Sequence, residues 1–311
     1  MNHSVLSSEP KVRRDVPIAP LTTYKLGGPA AYYLEADDEP TLLRVFRSLP
    51  PDVEVLVLGR GSNLVVADGG FPGLVVRLGE GFGVAVVGED GTIEAGGAVS
   101  LAKLARLAAT HGRGGLEFFI GIPGSVGGAV RMNAGGHGRE TRDCLITARI
   151  LQIDDVAVVE RDATQLELRY RHSNLTDRDI VLGARFGTDA RARVEVEEEL
   201  RAITRWRRDH QPGGTFNAGS VFRNPPGDSA GRIIDAAGLK GYRRGAVRVS
   251  DVHANFFVAA EGASAQNIWD LVWHVRRRVG ESTGVWLVPE IRFVGPFRPS
   301  EDQGAGPEGA Q

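Results

Sequence analysis

The feature that most constrains this chain is a glycine-rich run at positions 121–136, which reads G-I-P-G-S-V-G-G-A-V-R-M-N-A-G-G. A segment with so few large side chains cannot build core, whereas glycine lets the backbone take positive φ and approach a ligand closely. Backbone N–H groups that face one side form a concavity that binds anions. The run therefore predicts a loop against a phosphorylated ligand, for which a diphosphate is the usual candidate.

Composition limits the class of protein. The chain has 311 residues, enough for two domains, and a net charge of −2, which argues against a general nucleic-acid binder. Its one cysteine, Cys144, excludes an internal disulfide and a cysteine-based metal cluster, and we interpret it as a small buried apolar side chain. No apolar run reaches membrane-spanning length. We therefore expect a cytoplasmic protein with no metal, membrane or nucleic-acid partner.

The pattern of apolar runs and turns predicts an α+β fold, because strands cluster instead of alternating regularly with helices. Strands are predicted at 53–58, 64–66, 74–78, 84–87, 92–95, 150–153, 156–160, 180–185, 255–259 and 285–293. Helices are predicted at 101–111, 194–208, 230–237 and 265–279. We expect a flexible N-terminus at 1–15, a first domain at 16–190, a second domain at 191–295 and a disordered tail at 296–311.

A second glycine loop, G-R-G-S-N at positions 59–63, follows a predicted strand. It lacks the third glycine and the following helix of a Rossmann fingerprint, which argues against a nicotinamide-binding Rossmann domain. Alone, the loop is equally well a hairpin turn. Two backbone-lined loops in one β-rich domain suit a dinucleotide. Hydrogen bonds to it could come from four polar side chains: Ser62, Asn63, Ser125 and Asn133.

Three polar residues are candidates for a functional role, although the local sequence around each also fits a structural one. Arg171 in Y-R-H-S could grip a carboxylate or phosphate, although a surface arginine is the commoner meaning. Ser220 in A-G-S-V-F-R-N-P is not a nucleophile elbow, and a serine on a strand edge is the plain alternative. Glu290 in V-P-E-I lies within an apolar stretch, where a paired structural carboxylate and a catalytic acid are equally good interpretations. A basic loop at 238–245 could hold an anionic substrate, although a solvated loop is commoner.

Taken in order, these segments resemble the UDP-N-acetylenolpyruvoylglucosamine reductase family over roughly positions 21–294. The motifs that carry the resemblance are T-T-Y-K-L-G-G, L-G-R-G-S-N-L, the glycine-rich run, Y-R-H-S, A-G-S-V-F-R-N-P, A-G-L-K-G, V-S-D-V-H-A-N-F and V-P-E-I. Each motif is weak by itself, and their order makes the resemblance specific.

The resemblance implies a two-subdomain FAD-binding domain of the vanillyl-alcohol-oxidase type, followed by an α+β substrate-binding domain. It implies a UDP-N-acetylmuramate dehydrogenase, in which NADPH reduces non-covalently bound FAD. Flavin N5 then gives hydride to the enolpyruvyl ether of UDP-N-acetylglucosamine, a step of peptidoglycan synthesis. The residues implied to bind FAD are Gly59, Arg60, Gly61, Ser62, Asn63, Gly121, Ile122, Pro123, Gly124, Ser125, Gly127, Gly128 and Asn133.

The resemblance also implies the catalytic roles. Arg171 and Glu290 would stabilise the negative charge that spreads into the substrate carboxylate, and Ser220 would protonate the adjacent carbon. A preorganised charge helps most where charge develops, which agrees with this assignment. The residues implied to bind substrate are Tyr170, Asn224, Lys240, His253 and Asn255. We expect the enzyme to work as a monomer.

Two departures from the family pattern stand out. His137 occupies a position where the resemblance leads us to expect tyrosine, and the stretch between Arg171 and Ser220 is short, which suits the subgroup without the extra tyrosine loop. Two other functions stay open at this point. A flavin oxidase on the same fold would use O₂ and often links its flavin covalently. The second alternative is a protein that binds FAD or a nucleotide sugar without catalysis. The presence of Arg171, Ser220 and Glu290 together argues against it.

Overall fold

The computed structural model describes Leu6, residues 9–213 and residues 216–304, which form two compact units. The first unit comprises the described residues within 6–16, 31–60 and 73–207, and the second those within 17–30, 61–72 and 208–304. The predicted boundary near residue 190 is therefore wrong in two respects. The boundary lies after Arg207, and two early segments belong to the second unit.

The described residues form eighteen strands and six α-helices, numbered in chain order. The strands are β1 (Val12–Pro17), β2 (Pro29–Ala36), β3 (Val55–Val57), β4 (Leu64–Val66), β5 (Phe71–Leu78), β6 (Ala85–Val87), β7 (Ile93–Gly96), β8 (Arg113–Gly114), β9 (Gly135–Gly136), β10 (Arg139–Glu140), β11 (Leu145–Gln152), β12 (Ala157–Asp162), β13 (Asp179–Phe186), β14 (Asp189–Ala190), β15 (Arg243–Arg244), β16 (Val247–Val249), β17 (Phe257–Ala259) and β18 (Arg292–Val294). The helices are α1 (Glu39–Arg47), α2 (Leu101–Thr110), α3 (Val126–Met132), α4 (Arg193–His210), α5 (Ala230–Ala236) and α6 (Ala265–Thr283).

The first unit contains two main sheets. A four-stranded sheet has the order β1-β2-β5-β3, with β3 and β5 parallel, and a five-stranded antiparallel sheet has the order β12-β11-β13-β7-β6. The strands predicted at 150–153 and 156–160 lie within a hairpin, because β11 and β12 pair with Gln152 opposite Ala157. Apolar residues from both sheets are buried with those of α1 and α2, which gives the unit its two cores.

Helix α3 lies inside the glycine-rich run. Val126, Ala129 and Val130 follow helical spacing and are buried in the core beside the five-stranded sheet. The Ser125 hydroxyl caps the helix by accepting from the N–H of Gly128 at 3.4 Å, and Asn133 ends it in the left-handed conformation, with φ of 42°. The expectation that the run cannot build core is therefore wrong for its middle third.

Strand β1 corrects the prediction of a flexible N-terminus over residues 9–15. Val12 is buried within a core of the first unit, and Glu9 accepts hydrogen bonds from Arg44 at 3.1 and 3.2 Å. The short polar segment is held because Val12 is buried and β1 pairs with β2 at the edge of the four-stranded sheet. The other positions of the predicted flexible segment, 1–5 and 7–8, lie outside the described residues.

Cys144 is buried in the first unit, where its thiol donates to the Thr141 carbonyl at 3.3 Å. Burial raises the pKa of this thiol to about 12. The thiolate is the reactive form of cysteine, so we expect iodoacetamide to leave the native protein unlabelled from about pH 7 to pH 9. The unfolded chain should label readily. Mass spectrometry checks both, and equal labelling rates in the two states would contradict the burial of Cys144.

The second unit is built around helix α6. Its capping box joins Ser264 and Asn267, while Asp68 accepts from the backbone N–H groups of Ala265 and Gln266 at 2.8 and 3.1 Å. A cap of this kind stabilises a helix by about 1 kcal/mol. The antiparallel sheet β15-β16-β17 and the short helix α5 contribute apolar residues to the same core.

The early segments join the second unit through pairing and burial. Strand β4 pairs in parallel with β18, with Val65 opposite Phe293. Tyr24 is fully buried, and its hydroxyl donates to the Phe257 carbonyl at 3.1 Å. The predicted strand 285–293 is shorter than expected, because only Arg292–Val294 forms a ladder. Pro289 has no N–H to donate, and it makes a single bridge with Phe222.

The segment at residues 296–304 corrects the prediction of a disordered tail. Asp302 is buried and forms ion pairs, and Phe297 stacks on Trp269 with ring centroids 4.9 Å apart. Positions 305–311 of the predicted tail lie outside the described residues. Among the described residues, no helix is both long enough and apolar enough to cross a membrane.

Candidate active site

The two glycine loops approach each other within the first unit at Gly59 and Ser125. A Cβ added at Gly59 would lie 2.8 Å from the Ser125 Oγ, and one added at Gly128 would lie 3.6 Å from the same atom. Ser125 is buried, so it has little room to move away. The two loops therefore meet with one small hydroxyl between them, a junction that we call the cradle, and a side chain at Gly59 would collide with Ser125 there.

Several backbone N–H groups of the glycine-rich run donate hydrogen bonds to other groups of the first unit. The N–H groups of Val126 and Gly127 donate to the carbonyls of Val99 and Gly97, each at 2.9 Å. Together with the Gly128 N–H, which bonds Ser125, these donors are committed to the fold. We therefore propose backbone contact with a diphosphate only for the start of the run, at positions 121–125, where Gly59 lies next to Ser125.

Asn133 connects the run to the neighbouring turn. Its amide Nδ2 donates to the Arg169 carbonyl at 2.8 Å and to Glu140 Oε2 at 3.0 Å, while its Oδ1 accepts from the Arg142 N–H at 2.9 Å. The side chain is fully buried. Both of its N–H donors are used. We therefore interpret Asn133 as a positioning residue, in place of the predicted hydrogen bond to the cofactor.

Arg171 lies at the tip of a two-residue turn closed by reciprocal backbone bonds between Arg169 and His172, at 3.0 and 3.1 Å. Its φ of 52° is in the left-handed region, which a non-glycine residue rarely adopts. The guanidinium donates to the Gly135 carbonyl at 3.0 Å and lies 4.9 Å from the centre of the Tyr170 ring. Arg171 is thus held against the end of the glycine-rich run with its charge already oriented.

His137 replaces the expected aromatic at the far end of the run. It packs edge-on to Trp206 of α4 with ring centroids 5.1 Å apart, and a Cβ at Gly121 would lie 3.1 Å from its Nε2. Burial, and then the charge of Arg207, lower the pKa of His137, so the imidazole is neutral at neutral pH. His137 thus lies next to Gly121 and packs in turn on Trp206, and no local pattern in the sequence indicates this pairing.

In the second unit, Ser220 and Glu290 are placed by one backbone network. Ser220 bridges Phe256, and the next residue, Val221, accepts from the Glu290 N–H at 2.7 Å. Asn63 donates to the Glu290 carbonyl at 3.2 Å. Ser220 and Glu290 are both half-buried. The structure therefore brings together two predicted catalytic residues and one residue of the shorter glycine loop.

The side chain of Asn255 forms hydrogen bonds within this backbone network. Its Oδ1 accepts from the Phe222 N–H at 2.9 Å, its Nδ2 donates to the Phe222 carbonyl at 2.8 Å, and its own carbonyl accepts from Val221. The side chain is almost fully buried. Asn255 was predicted to bind substrate, and the contacts of its side chain fix the segment next to Ser220.

Gly61 and Ser62 belong to the second unit. A Cβ at Gly61 would lie 2.4 Å from the Leu21 carbonyl oxygen, and its φ is 61°, so only glycine fits there without strain. The Gly61 carbonyl accepts from the backbone N–H of Thr23 at 3.0 Å. This glycine therefore has a packing role, while the half-buried Ser62 follows it at the point where the loop turns.

The remaining predicted substrate residues lie around helix α5. Asn224 accepts from the Ala230 N–H at 3.0 Å, and Lys240 pairs with Asp235 at 2.9 Å. His253 accepts from the Asn255 N–H at 3.2 Å, and burial lowers its pKa, with a smaller effect in the same direction from Lys240. Asn224 and Lys240 are exposed and so accessible to a ligand, and His253 is half-buried.

Comparison with known proteins gives the class first. Residues 30–160 match the FAD binding domain family, and residues 211–294 match the C-terminal domain of UDP-N-acetylenolpyruvoylglucosamine reductase. The two together define a flavin-dependent oxidoreductase with an α+β fold, in which an FAD-binding domain precedes a distinct C-terminal domain.

The relatives then give the family. The chain is 40% identical to UDP-N-acetylenolpyruvoylglucosamine reductase of Novosphingobium aromaticivorans, over 95% of this chain and 99% of that protein. It is 44% identical to the enzyme of Methylorubrum extorquens, over 89% and 90%. The crystal structure of the Thermus caldophilus enzyme matches with a TM-score of 0.79 at 34% identity, over 91% of this chain and 99% of that one. The chain belongs to the UDP-N-acetylenolpyruvoylglucosamine reductase family.

The predicted family, fold class and cofactor are thereby confirmed: the protein is an FAD-dependent oxidoreductase of peptidoglycan precursor synthesis. The residues of the first unit fit a dinucleotide, because the cradle at Gly59 and Ser125 presents backbone and one small hydroxyl, with no bulky side chain between them. We assign the diphosphate to Gly59, Arg60 and positions 121–125 as a proposal.

Filling the cradle should weaken FAD binding. We expect Gly59→Ala to raise the dissociation constant of FAD about ten- to a hundredfold, since overpacking a rigid site costs roughly 1–3 kcal/mol. Flavin fluorescence during titration of the apoprotein measures this. Gly187→Ala is the matched control, because a Cβ there meets atoms no closer than 3.7 Å. Equal affinity of the Gly59 variant and the control would remove Gly59 from the cofactor site.

Proposed function

We propose that this protein uses NADPH to reduce the enolpyruvyl ether of UDP-N-acetylglucosamine to UDP-N-acetylmuramate, with non-covalently bound FAD. The observation that carries the proposal is the fixed arginine at the end of the glycine-rich run. Arg171 is bonded to Gly135 and stacked beside Tyr170, so its guanidinium is oriented before any ligand arrives. An enolpyruvyl ether is a planar carboxylate next to the reacting double bond, which such a group suits.

Bound FAD, held by Gly59 and positions 121–125, would supply the redox chemistry, a hydride transfer between NADPH and the enol ether. The protein supplies binding, orientation and charge. Arg171 offers two parallel N–H donors to the substrate carboxylate, where negative charge grows as the hydride is added. Its contact with the Gly135 carbonyl keeps the side chain from turning to solvent.

Ser220 and Glu290, held by the backbone network of the second unit, are assigned the two remaining roles. Ser220 donates the proton that completes the reduction at the carbon next to the carboxylate. Serine is a weak acid, but an enolate-like species is a strong base that can take its proton. Glu290, in its protonated form, donates a hydrogen bond to the carboxylate oxygens. Asn63 bonds the Glu290 backbone, and Asn255 bonds the Phe222 backbone two residues after Ser220.

The nucleotide end of the substrate requires cationic and polar groups. Lys240 and Asn224 are exposed around α5, and His253 stands beside them in its neutral form, since its pKa is lowered. Lys240 exchanges its Asp235 partner for a phosphate oxygen in this assignment. Tyr170, whose ring packs against Arg171, is the remaining exposed candidate.

Two half-reactions measured by anaerobic rapid mixing test this function. NADPH should bleach the bound flavin, and the enolpyruvyl substrate should restore its colour without oxygen. Rapid recolouring by O₂ together with no response to the enolpyruvyl substrate would favour a flavin oxidase and contradict the proposal. Denaturation gives a second readout, because non-covalent FAD leaves with the soluble fraction and a covalently linked flavin stays with the precipitated chain.

A further inference from the structure

The C-terminal strap, defined as residues 296–304, lies beyond the residues that match the family's C-terminal domain, which end at 294. It is held along helix α6 by specific contacts. The side-chain amide of Gln266 pairs with the backbone of Arg298, donating to its carbonyl and accepting from its N–H, each at 3.1 Å. Phe297 stacks on Trp269 with their planes 12° apart. The strap is thus packed against the second unit by specific contacts.

Asp302 is the charged anchor of the strap. Its carboxylate lies 3.0 Å from Arg244 Nη1, 3.0 Å from His274 Nδ1 and 2.7 Å from Arg277 Nε. The side chain is only 7% exposed. A buried carboxylate is tolerated when several donors satisfy it, and removing it takes one shared partner from three cationic or polar groups that lie close together. Docking of the strap and pairing of these three groups therefore depend on each other.

Two of the anchor's contacts reach the basic loop at residues 238–245. Arg244 belongs to the loop and bonds Asp302 directly. Tyr242 stacks on the His274 imidazole with ring centroids 4.6 Å apart and planes 12° apart, and a carboxylate accepts only, so His274 donates its Nδ1–H to Asp302. Gly238 and Gly245, at the two ends of the loop, both have positive φ, which makes them natural hinges.

We propose that Asp302 is a positioning residue for nucleotide-sugar binding: it fixes the basic loop through Arg244 and the His274–Tyr242 stack. This inference rests on the proposed function, because Lys240 lies in that loop and is assigned to a substrate phosphate. The strap restrains the loop's backbone, so a diphosphate meets Lys240 in a fixed position and loses less conformational freedom on binding. Without the anchor, the loop moves about its glycines.

Hydrogen exchange of the loop tests the inference without substrate or turnover. In the FAD-loaded enzyme, Asp302→Asn keeps the shape of the side chain and removes its charge, and we expect amides at 239–249 to exchange at least about tenfold faster. Glu281→Gln is the matched control, because this exposed residue of α6 pairs with Arg277 but not with the strap. Equal loop exchange in the Asp302 variant and the control would overturn the proposal.

Kinetics separate positioning from general destabilisation. For Asp302→Asn we expect KM for the enolpyruvyl substrate to rise about three- to tenfold, with flavin reduction by NADPH and kcat within about twofold of wild type. A chain ending at Gly295 should show the same split, and a chain ending at Gly304 should not. A proportional loss in both half-reactions, or an unchanged KM, would overturn the inference. If the wild-type protein fails to reduce the enolpyruvyl substrate, the proposed function fails, and loop exchange still decides whether the anchor acts.

Discussion

Ser220→Ala should leave reduction of the flavin by NADPH at its normal rate and slow reoxidation by the enolpyruvyl substrate about a hundred- to ten-thousandfold, the usual scale for a lost general acid. The reason is that in the proposed mechanism Ser220 would supply its proton only after the hydride transfer to the substrate. Its backbone position should survive the change, because Val221 and Phe222 are held by Asn255 and do not depend on the Ser220 hydroxyl. Anaerobic rapid mixing measures each half-reaction separately.

Ser282→Ala is the matched control for that experiment. Ser282 lies on α6, and its hydroxyl donates to the Arg278 carbonyl of its own helix at 2.8 Å. The control should reoxidise as the wild type does. Full-speed reoxidation of the Ser220 variant would remove this serine from the mechanism. Equal slowing of both half-reactions would instead indicate a disturbed flavin.

Arg171→Met should lower the reoxidation rate about a hundred- to a thousandfold, the scale for removing one preorganised donor to a developing anion. Arg171→Lys keeps the charge but loses the planar fork, and it should recover part of that loss. Lysine, methionine and arginine share the same backbone cost at the positive φ of this position, so the comparison isolates the side chain. Because the interaction strengthens as charge develops, the rate constant should fall more than KM rises.

Arg169→Met provides the control for Arg171. Arg169 lies two residues away in the same turn, its side chain is 70% exposed, and it pairs with Glu167. Its backbone carbonyl, which holds Asn133, is unaffected by the substitution. A loss in the Arg169 variant equal to that in Arg171→Met would show that the turn matters and the guanidinium of Arg171 does not.

Local patterns predicted several elements correctly. Strand β4 was predicted at 64–66 and lies there, and α2 and α6 begin where Ser100 and Ser264 cap them. Helix α3 was missed because small residues hid the apolar spacing of Val126, Ala129 and Val130 inside a glycine-rich run. Burial of that spacing depends on Val99 and Gly97, which the run itself does not reveal.

The sequence predicted which residues belong to the candidate site. It did not predict the contacts that these residues make. Nothing local indicates that the Asn133 amide is consumed by Arg169, Glu140 and Arg142, or that Asn255 pairs with the Phe222 backbone. Such contacts join residues that are not neighbours in the chain. They give a structural role to side chains that were predicted to contact a ligand. Gly135 was missed as the acceptor for Arg171, although its place at the end of the glycine-rich run was the available signal.

The most direct test of the central claim is the product of an anaerobic reaction. The FAD-loaded protein is incubated with NADPH and the enolpyruvyl ether of UDP-N-acetylglucosamine, and the nucleotide sugar is then measured by mass spectrometry. The account predicts a product two hydrogens heavier than the substrate, formed in equal amount to the NADPH consumed. Consumption of NADPH only when oxygen is present, with the enolpyruvyl ether recovered unchanged, would contradict it.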